Sequence, residues 1–455
     1  MKPVELSDQQ QRLFEYIEQS SNNIFVTGRA GTGKSTLLTH LVEHTDKKYA
    51  ICAPTGVAAL NVGGSTIHSL FGFHSGLLGD YDIARHMNRR IREMLGVIDM
   101  LVVDEVSMVS ADLLDAMSRA MGIARGRRKL PFGGAQVVMF GDPYQLAPVV
   151  SGPEEKKYFA ETYASPWFFD AKVFQESQLE SFELSEIFRQ HDEDFKNILN
   201  AIRVGEATQE MLDVVTEAGR RYPPHENVIR LASRNDTVDG INVARLNKIE
   251  APAKVFKAVF SETDAKAFGK NIPAEPEIAL KVGAQVMFIK NDDASTKRLA
   301  DGSMAKRWVN GTIGTVIELP SSGGVRVEVG DEQFDVGPTT WQKIKYEINS
   351  EFDEVTGKFK EVLTPVPIAE YRQIPLRLAW AVTIHKSQGQ TYEEVVIDLS
   401  QGAFSPGQTY VALSRVRSLQ GLYLTAPIRL RDVMIDPHVV RFMSGAKSIA
   451  PDAIF

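Results

Sequence analysis

A glycine-rich loop near the N-terminus carries the clearest chemistry in this chain. Residues 28–35 read GRAGTGKS and fit the pattern G-x-x-x-x-G-K-[ST]. The apolar run NIFVT precedes this loop and STLLTHLV follows it, so we predict that it joins a β-strand to an α-helix. Such glycines let backbone amides approach phosphates, the lysine reaches the outer phosphates, and the hydroxyl holds Mg²⁺. Gly28, Gly33, Lys34 and Ser35 occupy these places, which predicts a site for a nucleoside triphosphate.

Two adjacent carboxylates end a later apolar run, VIDMLVVDE, as Asp104 and Glu105. Neighbouring acids at the end of a buried strand are costly unless a cation or a water molecule uses them. We expect Asp104 to orient the Mg²⁺ shell and Glu105 to act as the base that polarises the attacking water. The alternative is that both acids only cap the helix that follows.

A third polar turn, GDPYQLAPV, follows the apolar run AQVVMF and contains one amide side chain, Gln145. Beside a phosphate site, an amide can hydrogen-bond the terminal phosphate or the attacking water and lose that bond after hydrolysis. We therefore interpret Gln145 as a sensor of the nucleotide state.

The elements that must position these groups alternate between short β-branched runs and helical periodicity. Candidate strands are NNIFVT, KKYAICAPT, VIDMLVVDE and AQVVMFGD, and each ends in a polar turn. This pattern is typical of a parallel sheet covered by helices, in which ligands bind at the carboxyl ends of the strands. The predicted fold class is therefore α/β.

The composition excludes several classes of protein. The chain has 455 residues, 43% of them hydrophobic and 24% charged, as in ordinary globular proteins with two to four domains. No apolar stretch approaches the ~18 residues of a membrane span, and MKPVELSDQQ resembles no targeting signal, so we expect a cytoplasmic protein without a membrane partner. The single cysteine, Cys52, follows an apolar run and is expected to be a small buried hydrophobe.

The formal net charge of −7 argues against indiscriminate nucleic-acid binding but permits a local basic groove. Two basic clusters occur, RHMNRRIR at residues 85–92 and RGRRK at residues 125–129. Either cluster is consistent with a nucleic-acid contact or with a solvated helix face.

The order of eight segments resembles the Pif family of DNA helicases, which belongs to the superfamily 1 group that moves 5′ to 3′ on single-stranded DNA. The segments are GRAGTGKS, APTGVAALN, GSTIHSLFGF, VDEVSMVSADLLDAM, GDPYQLAPV, LSEIFRQ, TIHKSQGQT and YVALSRVRSLQGL. Residues 104–125 resemble the signature segment of the family. Related helicases similar to the alpha subunit of exonuclease V share the other motifs and are the runner-up interpretation.

The resemblance implies ATP and Mg²⁺ as cofactors and assigns further residues. Gln10 matches the adenine-reading glutamine of the family, although it could also be a surface residue of a helix capped by Ser7. Arg189 and Arg415 match two arginines that the second motor lobe supplies to the phosphates. With Lys34, Glu105 and Gln145, these arginines form the implied catalytic set. The implied nucleotide contacts are Gln10, Gly28, Ala30, Gly31, Thr32, Gly33, Lys34, Ser35, Thr36 and Gly389, and the implied Mg²⁺ ligands are Ser35 and Asp104.

The resemblance also implies a track for single-stranded DNA across both lobes, which binds phosphates without reading bases. Its implied residues are Pro54, Thr55, Gly56, Thr66 and His68 in the first lobe and Thr383, His385 and Ser387 in the second. For both histidines the alternative is a structural role, as a hydrogen-bonded residue of the core or of a turn.

The expected architecture has two RecA-like P-loop lobes, each a parallel sheet with helices on both faces, and two insertions. The first lobe is predicted at 1–67 and 93–178, a small wedge-like insertion at 68–92, the second lobe at 179–251 and 374–455, and an inserted β-barrel at 252–373. The barrel follows from glycine turns between the runs AQVMFIKN, GTIGTVIEL, VRVEV and EQFDV. In the small insertion, Phe71, Phe73 and Tyr81 offer either a stacking face or packing.

The expected function is an ATP-dependent DNA helicase that acts as a monomer on single-stranded and forked DNA, with G-quadruplex DNA as a further possible substrate. A ring-forming ATPase should not carry HKSQG and ALSR in one chain, and a non-enzymatic relative should have lost Lys34, Glu105 or an arginine. Stimulation of ATP hydrolysis by single-stranded DNA discriminates these classes.

Overall fold

The computed structural model describes residues 6–73, 83, 87–150, 152–177, 179–190, 192–268, 272–292, 296–298, 304–321, 323–353, 358–445 and 448–449. The helices of these residues are α1 (Asp8–Gln19), α2 (Lys34–His44), α3 (Gly56–Asn61), α4 (Ile67–Phe71), α5 (Arg89–Val97), α6 (Ala111–Ala124), α7 (Gly152–Thr162), α8 (Lys172–Glu176), α9 (Glu193–Val204), α10 (Gln209–Gly219), α11 (Asn235–Lys248), α12 (Glu262–Phe268), α13 (Gln408–Leu413) and α14 (Pro437–Gly445). No described helix is both long enough and apolar enough to cross a bilayer.

The strands of the described residues belong to six sheets. They are β1 (Ile24–Gly28), β2 (Tyr49–Ala53), β3 (Ser65–Thr66), β4 (Met100–Val103), β5 (Gln136–Phe140), β6 (Glu180–Leu184), β7 (Arg230–Ala232), β8 (Lys254–Lys257), β9 (Glu277–Leu280), β10 (Gln285–Phe288), β11 (Thr296–Arg298), β12 (Met304–Lys306), β13 (Ile313–Glu318), β14 (Val325–Val329), β15 (Glu332–Val336), β16 (Thr339–Asp353), β17 (Lys358–Gln373), β18 (Leu376–Leu378), β19 (Ala381–Thr383), β20 (Val395–Asp398), β21 (Leu422–Leu424) and β22 (Ser448–Ile449). Of the six sheets, β8–β9 and β11–β12 are two-stranded antiparallel pairs.

The first lobe is a seven-stranded parallel sheet in the order β22-β6-β1-β5-β4-β2-β3. Its four central predicted strands are β1, β2, β4 and β5. Alternate residues of β1 point to opposite faces, so Phe25 packs in the cluster that contains α6, and Ile24 and Val26 pack with α1 and α2. Both faces are therefore covered, which explains why these strands read as continuous apolar runs.

The sheet pairings divide the chain differently from the predicted lobe ranges at two places. Strand β6 falls in the range assigned to the second lobe, yet it pairs with β1 along its whole length. Near the other end of the chain, β22 pairs with β6, and Phe442 of α14 stacks on Phe169 with ring centroids 4.3 Å apart. The last described segment thus returns to the first lobe, because its apolar groups are buried there.

The second lobe is a four-stranded parallel sheet in the order β19-β7-β20-β21. Helix α9 contributes Phe195 and Leu199 to its core, and α13 contributes Val411. The predicted class, two α/β lobes with parallel sheets, is confirmed.

The inserted region contains all four predicted short strands, as β10, β13, β14 and β15. Together with β18, they form a five-stranded antiparallel sheet in the order β15-β14-β13-β10-β18, around a core in which Phe288 and Trp308 stack with ring centroids 4.6 Å apart. Strand β18 extends this sheet beyond the predicted boundary at residue 373. The sequence analysis did not identify the long antiparallel ribbon of β16 and β17, which reaches α5 and β3 of the first lobe.

The described part of the small insertion is packed against the first lobe. Phe71 and Phe73 are 0% and 8% exposed, and their rings stack on each other at 5.2 Å within the core. Packing is therefore the role of these two rings in this structure. Tyr81, the third aromatic residue predicted there, lies outside the described residues.

Candidate ATP and DNA sites

The phosphate loop has the predicted context, since it links the end of β1 to the start of α2. Gly31 and Gly33 have φ angles of +86° and +78°, a region that favours glycine. A Cβ atom on Gly31 would lie 2.6 Å from Arg189 Cβ, so glycine is also needed for close packing. Lys34 Nζ donates to the carbonyl oxygens of Gly28 at 2.6 Å and Arg29 at 3.1 Å. Burial lowers the pKa of Lys34. The two carbonyl groups hold this lysine in place, and phosphate oxygens can replace them.

Asp104 and Glu105 follow β4 directly, as predicted. Glu105 has a φ of +49°, a conformation that is unfavourable for a non-glycine residue and often occurs at functional sites. Burial, followed by the proximity of Glu105, raises the pKa of Asp104 to about 7. Burial also raises the pKa of Glu105. Two carboxyl groups that resist ionisation together are suited to a site where a cation supplies the missing charge.

A cavity of about 580 Å³ lies between the two lobes and collects most of the predicted ATP-site residues. Of the predicted residues, its lining contains Gln10, Ala30, Gly31, Thr32, Gly33, Lys34, Ser35, Thr36, Glu105, Gln145, Arg189, Gly389 and Arg415. Gly28 and Asp104 lie outside the lining but adjoin it through Lys34 and Glu105. The lining also includes Phe188, Thr391 and Arg417, which the sequence analysis did not select.

Gln10 lies at the start of α1, beside the phosphate loop, and it is buried, so it is not the surface residue that the sequence left open as an alternative. It forms a capping box with Ser7 at the start of α1, and its side chain is only 3% exposed. Its Nε2 also donates to Gly33 O at 3.1 Å, which fixes α1 against the phosphate loop. The amide therefore lies at the rim of the cavity, beside Phe188, whose side chain is 46% exposed. An exposed ring and an amide at one rim can stack on and hydrogen-bond a purine.

The two arginines approach the cavity from the second-lobe side. Arg189 Nη1 donates to Ser414 O at 3.1 Å, and Arg415 donates to Val411 O at 2.9 Å and Gln390 O at 3.2 Å. Burial, followed by the proximity of Arg415, lowers the pKa of Arg189 to about 9, and burial also lowers the pKa of Arg415. A bound phosphate group would relieve this mutual repulsion.

Arg29 and Tyr410, the tyrosine of the YVALSR segment, lie on the other side of the phosphate loop. The hydroxyl of Tyr410 accepts the Ala30 N–H at 2.9 Å, although Tyr410 belongs to the second lobe. Arg29 lines a separate cavity with Asn200 and does not line the one described above. Arg29 therefore faces α9, away from the predicted nucleotide position.

The predicted DNA residues of the first lobe lie together at the carboxyl ends of two adjacent strands. Pro54, Thr55 and Gly56 follow β2, and Thr66 and His68 lie at the end of β3 and the start of α4. Thr55 Oγ1 accepts Ala58 N–H, and Thr66 Oγ1 accepts Ser69 N–H, both at 3.2 Å. These hydroxyls therefore cap helices, and each residue remains partly exposed beside its turn.

The second-lobe track differs from the prediction in detail. Ser387 is fully buried, and its hydroxyl donates to Ile384 O at 2.8 Å. Thr383 is 5% exposed, and its hydroxyl accepts Lys386 N–H at 3.3 Å. Both side chains thus stabilise the turn and cannot contact DNA in this arrangement. His385 is half-buried, and burial lowers its pKa, so at neutral pH its ring is a neutral hydrogen-bonding group.

The basic segment at residues 125–129 begins with a structural arginine. Arg125 donates to Ile98 O at 2.6 Å and Gly133 O at 2.9 Å, so it joins α6 to neighbouring loops. Arg85, at the start of the other cluster, lies outside the described residues.

A family model described as PIF1-like helicase matches residues 5–212. The ATP-dependent DNA helicase Pif1 of Bdellovibrio bacteriovorus is 31% identical over 446 residues, which cover 96% of this chain and 92% of that protein. The PIF1 helicase of Rattus norvegicus is 33% identical over 441 residues, and the chain spans 62% of its length.

Solved structures agree with these matches. A crystal structure of Bacteroides sp. Pif1 with ADP-AlF4 superimposes with a TM-score of 0.83 at 33% identity, covering 98% of this chain and 97% of the other. A structure that describes DNA unwinding at forked double-stranded DNA by two coordinating Pif1 helicases superimposes with a TM-score of 0.70 at 33% identity, covering 98% of both chains.

Proposed function

Because the chain belongs to the PIF1-like helicase family and is an ATP-dependent DNA helicase, we propose that it moves 5′ to 3′ along single-stranded DNA and separates the duplex ahead of it. One observation carries this proposal. A single cavity is lined by the phosphate loop of one lobe and by Arg189 and Arg415, which approach it from the side of the other lobe. Hydrolysis in such a cavity requires closed lobes, and its products favour opening, which is the cycle a motor needs.

At the ATP site we assign binding of the outer phosphates to Lys34 and to the amides of the loop. The Ser35 hydroxyl and the Asp104 carboxylate fit a Mg²⁺ ion, since a hydroxyl, one carboxylate and phosphate oxygens are its usual partners. When bound, the ion would neutralise charge on the phosphates. We assign to Glu105 the acceptance of a proton from the attacking water and to Gln145 the orientation of that water, because both residues line the cavity.

The arginines act on the developing charge of the transferred phosphate group. Their present hydrogen bonds to second-lobe carbonyl oxygens pre-orient both guanidinium groups toward the cavity. Gln10 and Phe188 are assigned to the base, by hydrogen bonding and stacking respectively.

The DNA track is assigned to the loop ends that carry Thr55, Thr66, His68 and His385, with no contact to base edges. The hydroxyl groups of Thr383 and Ser387 are buried. At this turn we therefore assign phosphate binding to His385 and to the exposed Lys386. Such contacts suit a motor that must move over any sequence.

As substrates we propose single-stranded DNA and forked duplexes with a 5′ tail, with G-quadruplex DNA as a further substrate and a monomer as the translocating unit. Forked DNA is favoured because a similar protein is described as unwinding forks, there as two coordinating helicases. The family membership also favours this reading over an exonuclease V alpha-like helicase.

Strand displacement tests the polarity. Purified protein is given ATP, Mg²⁺ and duplexes with a 5′ tail, a 3′ tail, a fork or a G-quadruplex, and Lys34→Ala serves as the inactive control. We expect unwinding of the 5′-tailed, forked and G-quadruplex substrates only with ATP and only with Lys34 present. Unwinding from a 3′ tail alone would refute the assigned direction. Mass photometry on the forked substrate determines whether one copy or two is bound.

A further inference from the structure

The loop after β5 is joined to the second lobe by an ion pair between Asp142, in the GDPYQLAPV segment, and Arg203, which lies outside every motif used above. Asp142 comes from the first lobe, and Arg203 lies in the last turn of α9 in the second. Arg203 Nη2 donates to Asp142 Oδ1 at 3.0 Å, and Arg203 Nε lies 3.3 Å from the same oxygen and 3.4 Å from Oδ2. The side chains are 5% and 0% exposed, so the forked contact is shielded from water.

The surroundings of Arg203 strengthen this contact. Its guanidinium group lies over the ring of Tyr144, 4.4 Å from the ring centroid, and Glu183 is 3.6 Å from Nη1. Removing two charges from water is costly, and a buried pair contributes little stability compared with apolar residues of the same volume. A pair of this kind is therefore better explained by the specific arrangement that it selects than by stability.

That arrangement includes the predicted sensor. Asp142 Oδ2 accepts a hydrogen bond from Gln145 Nε2 at 3.3 Å, and Gln145 Oε1 accepts one from Gln388 Nε2 at 3.2 Å. Gln145 is thus held at both ends of its amide, on one side by a first-lobe carboxylate and on the other by the HKSQG turn. Because Arg203 fixes the carboxylate, it indirectly fixes Gln145.

Backbone packing at the same interface supports a two-state contact. Gly407, at the start of α13, has a φ of +76°, and a Cβ atom there would lie 2.3 Å from Gln145 O and 2.6 Å from Tyr144 O. The second lobe therefore packs closely against this loop at Tyr144 and Gln145, just after Asp142, which leaves little room for intermediate positions.

We propose that the Asp142–Arg203 ion pair is an interlobe latch, which forms when the lobes close and holds Gln145 in the orientation needed for ATP hydrolysis. This inference rests on the proposed ATP-driven motor cycle. Arg203 is a positioning residue, since it does not line the ATP cavity and acts through Asp142.

The first test uses Arg203→Met, Asp142→Asn and the double variant. The kcat and KM for ATP are measured with saturating oligothymidine, beside the midpoint of thermal unfolding. Either single change leaves a buried group unpaired and should lower both stability and kcat. In the double variant neither side chain is charged, so stability should recover, whereas kcat should stay about 5- to 150-fold below the parental value. KM should change much less.

Two further variants sharpen the comparison. Arg203→Lys keeps the charge but loses the fork, so we expect an intermediate kcat. Arg307→Met breaks an ion pair to Asp292 within the inserted domain, where the side chains are 27% and 2% exposed. This control should lower stability without changing kcat. If the double variant of the latch regains kcat together with stability, the pair only supports folding and the proposal is overturned.

The second test measures closure directly, with fluorescent dyes on cysteines introduced at the exposed positions Glu43 and Val243. The native Cys52 is buried and should stay unlabelled. With ADP and aluminium fluoride, Arg203→Met and the double variant should populate the closed state less than the parental protein. Equal closed populations would overturn the latch. If the parental protein shows no DNA-stimulated hydrolysis, the proposed function fails, while the closure measurement still decides the latch.

Discussion

Removing a single hydroxyl group, in Tyr410→Phe, should weaken the closed state of the lobes. This hydroxyl is the acceptor for the Ala30 N–H at 2.9 Å, and the two residues are only 3% and 7% exposed. Phenylalanine keeps the ring in place and creates no large cavity. The change therefore isolates one hydrogen bond between the phosphate loop and the second lobe.

The magnitude follows from the unpaired N–H group. A buried donor without an acceptor costs about 1–3 kcal/mol. This cost applies only to closed lobes, because the same N–H can reach water when they separate. The ratio of closed to open molecules should thus fall by about 5- to 150-fold. Burial raises the pKa of Tyr410 to about 12, so the hydroxyl is neutral at assay pH and the effect should not vary between pH 7 and pH 9.

Steady-state ATP hydrolysis with saturating single-stranded DNA is the assay, beside equilibrium binding of a fluorescent ATP analogue. Tyr392→Phe is the matched control, since Tyr392 is 6% exposed and its hydroxyl has no hydrogen-bond partner among the described residues. Tyr410→Phe should lower turnover by roughly tenfold, within the range of such couplings, and Tyr392→Phe should leave it unchanged. Parental turnover in Tyr410→Phe, or equal losses in both variants, would refute the reasoning.

Four further predictions concern the ATP site and the track. Glu105→Gln should lower DNA-stimulated hydrolysis by about 10²- to 10⁴-fold while an ATP analogue still binds, because the amide keeps the shape but cannot accept the proton; parental turnover would exclude Glu105 as the base. Arg415→Ala should reduce turnover by at least about 10³-fold and nucleotide affinity far less, and a transition-state complex with this side chain remote from the phosphates would contradict its role. His385→Ala should weaken single-strand binding and unwinding, whereas DNA-free hydrolysis persists; unaltered DNA affinity removes it from the track. Asp104→Asn should stabilise the nucleotide-free protein by up to about 4 kcal/mol at pH 8 and by less at pH 5, as measured by urea unfolding. The folded state raises the pKa of Asp104 from 3.8 to about 7, so the parental protein loses stability as pH rises through this window, and a pH-independent difference would argue against that shift.

Local sequence patterns were sufficient to predict the features whose chemistry depends on residues close together in the chain. The GRAGTGKS loop, the strand that precedes Asp104 and the four short strands β10, β13, β14 and β15 are specified by glycine placement, apolar runs and turns a few residues long. The burial of β1 on both faces could be predicted from its sequence for the same reason, since a strand covered by helices must be apolar throughout.

Other features depend on which distant segments meet, and no local pattern encodes that choice. The assignment of β6 to the first sheet, the return of α14 and the burial of Ser387 each follow from packing between residues far apart in the chain. The pairing of Asp142 with Arg203 is of the same kind, because charged residues of these types occur throughout the sequence and the packing of the two lobes buries this particular pair. The sequence by itself therefore determined the chemical groups of the ATP site, whereas the tertiary structure decided which groups the second lobe brings to them, since burial and interlobe geometry are properties of the packed chain.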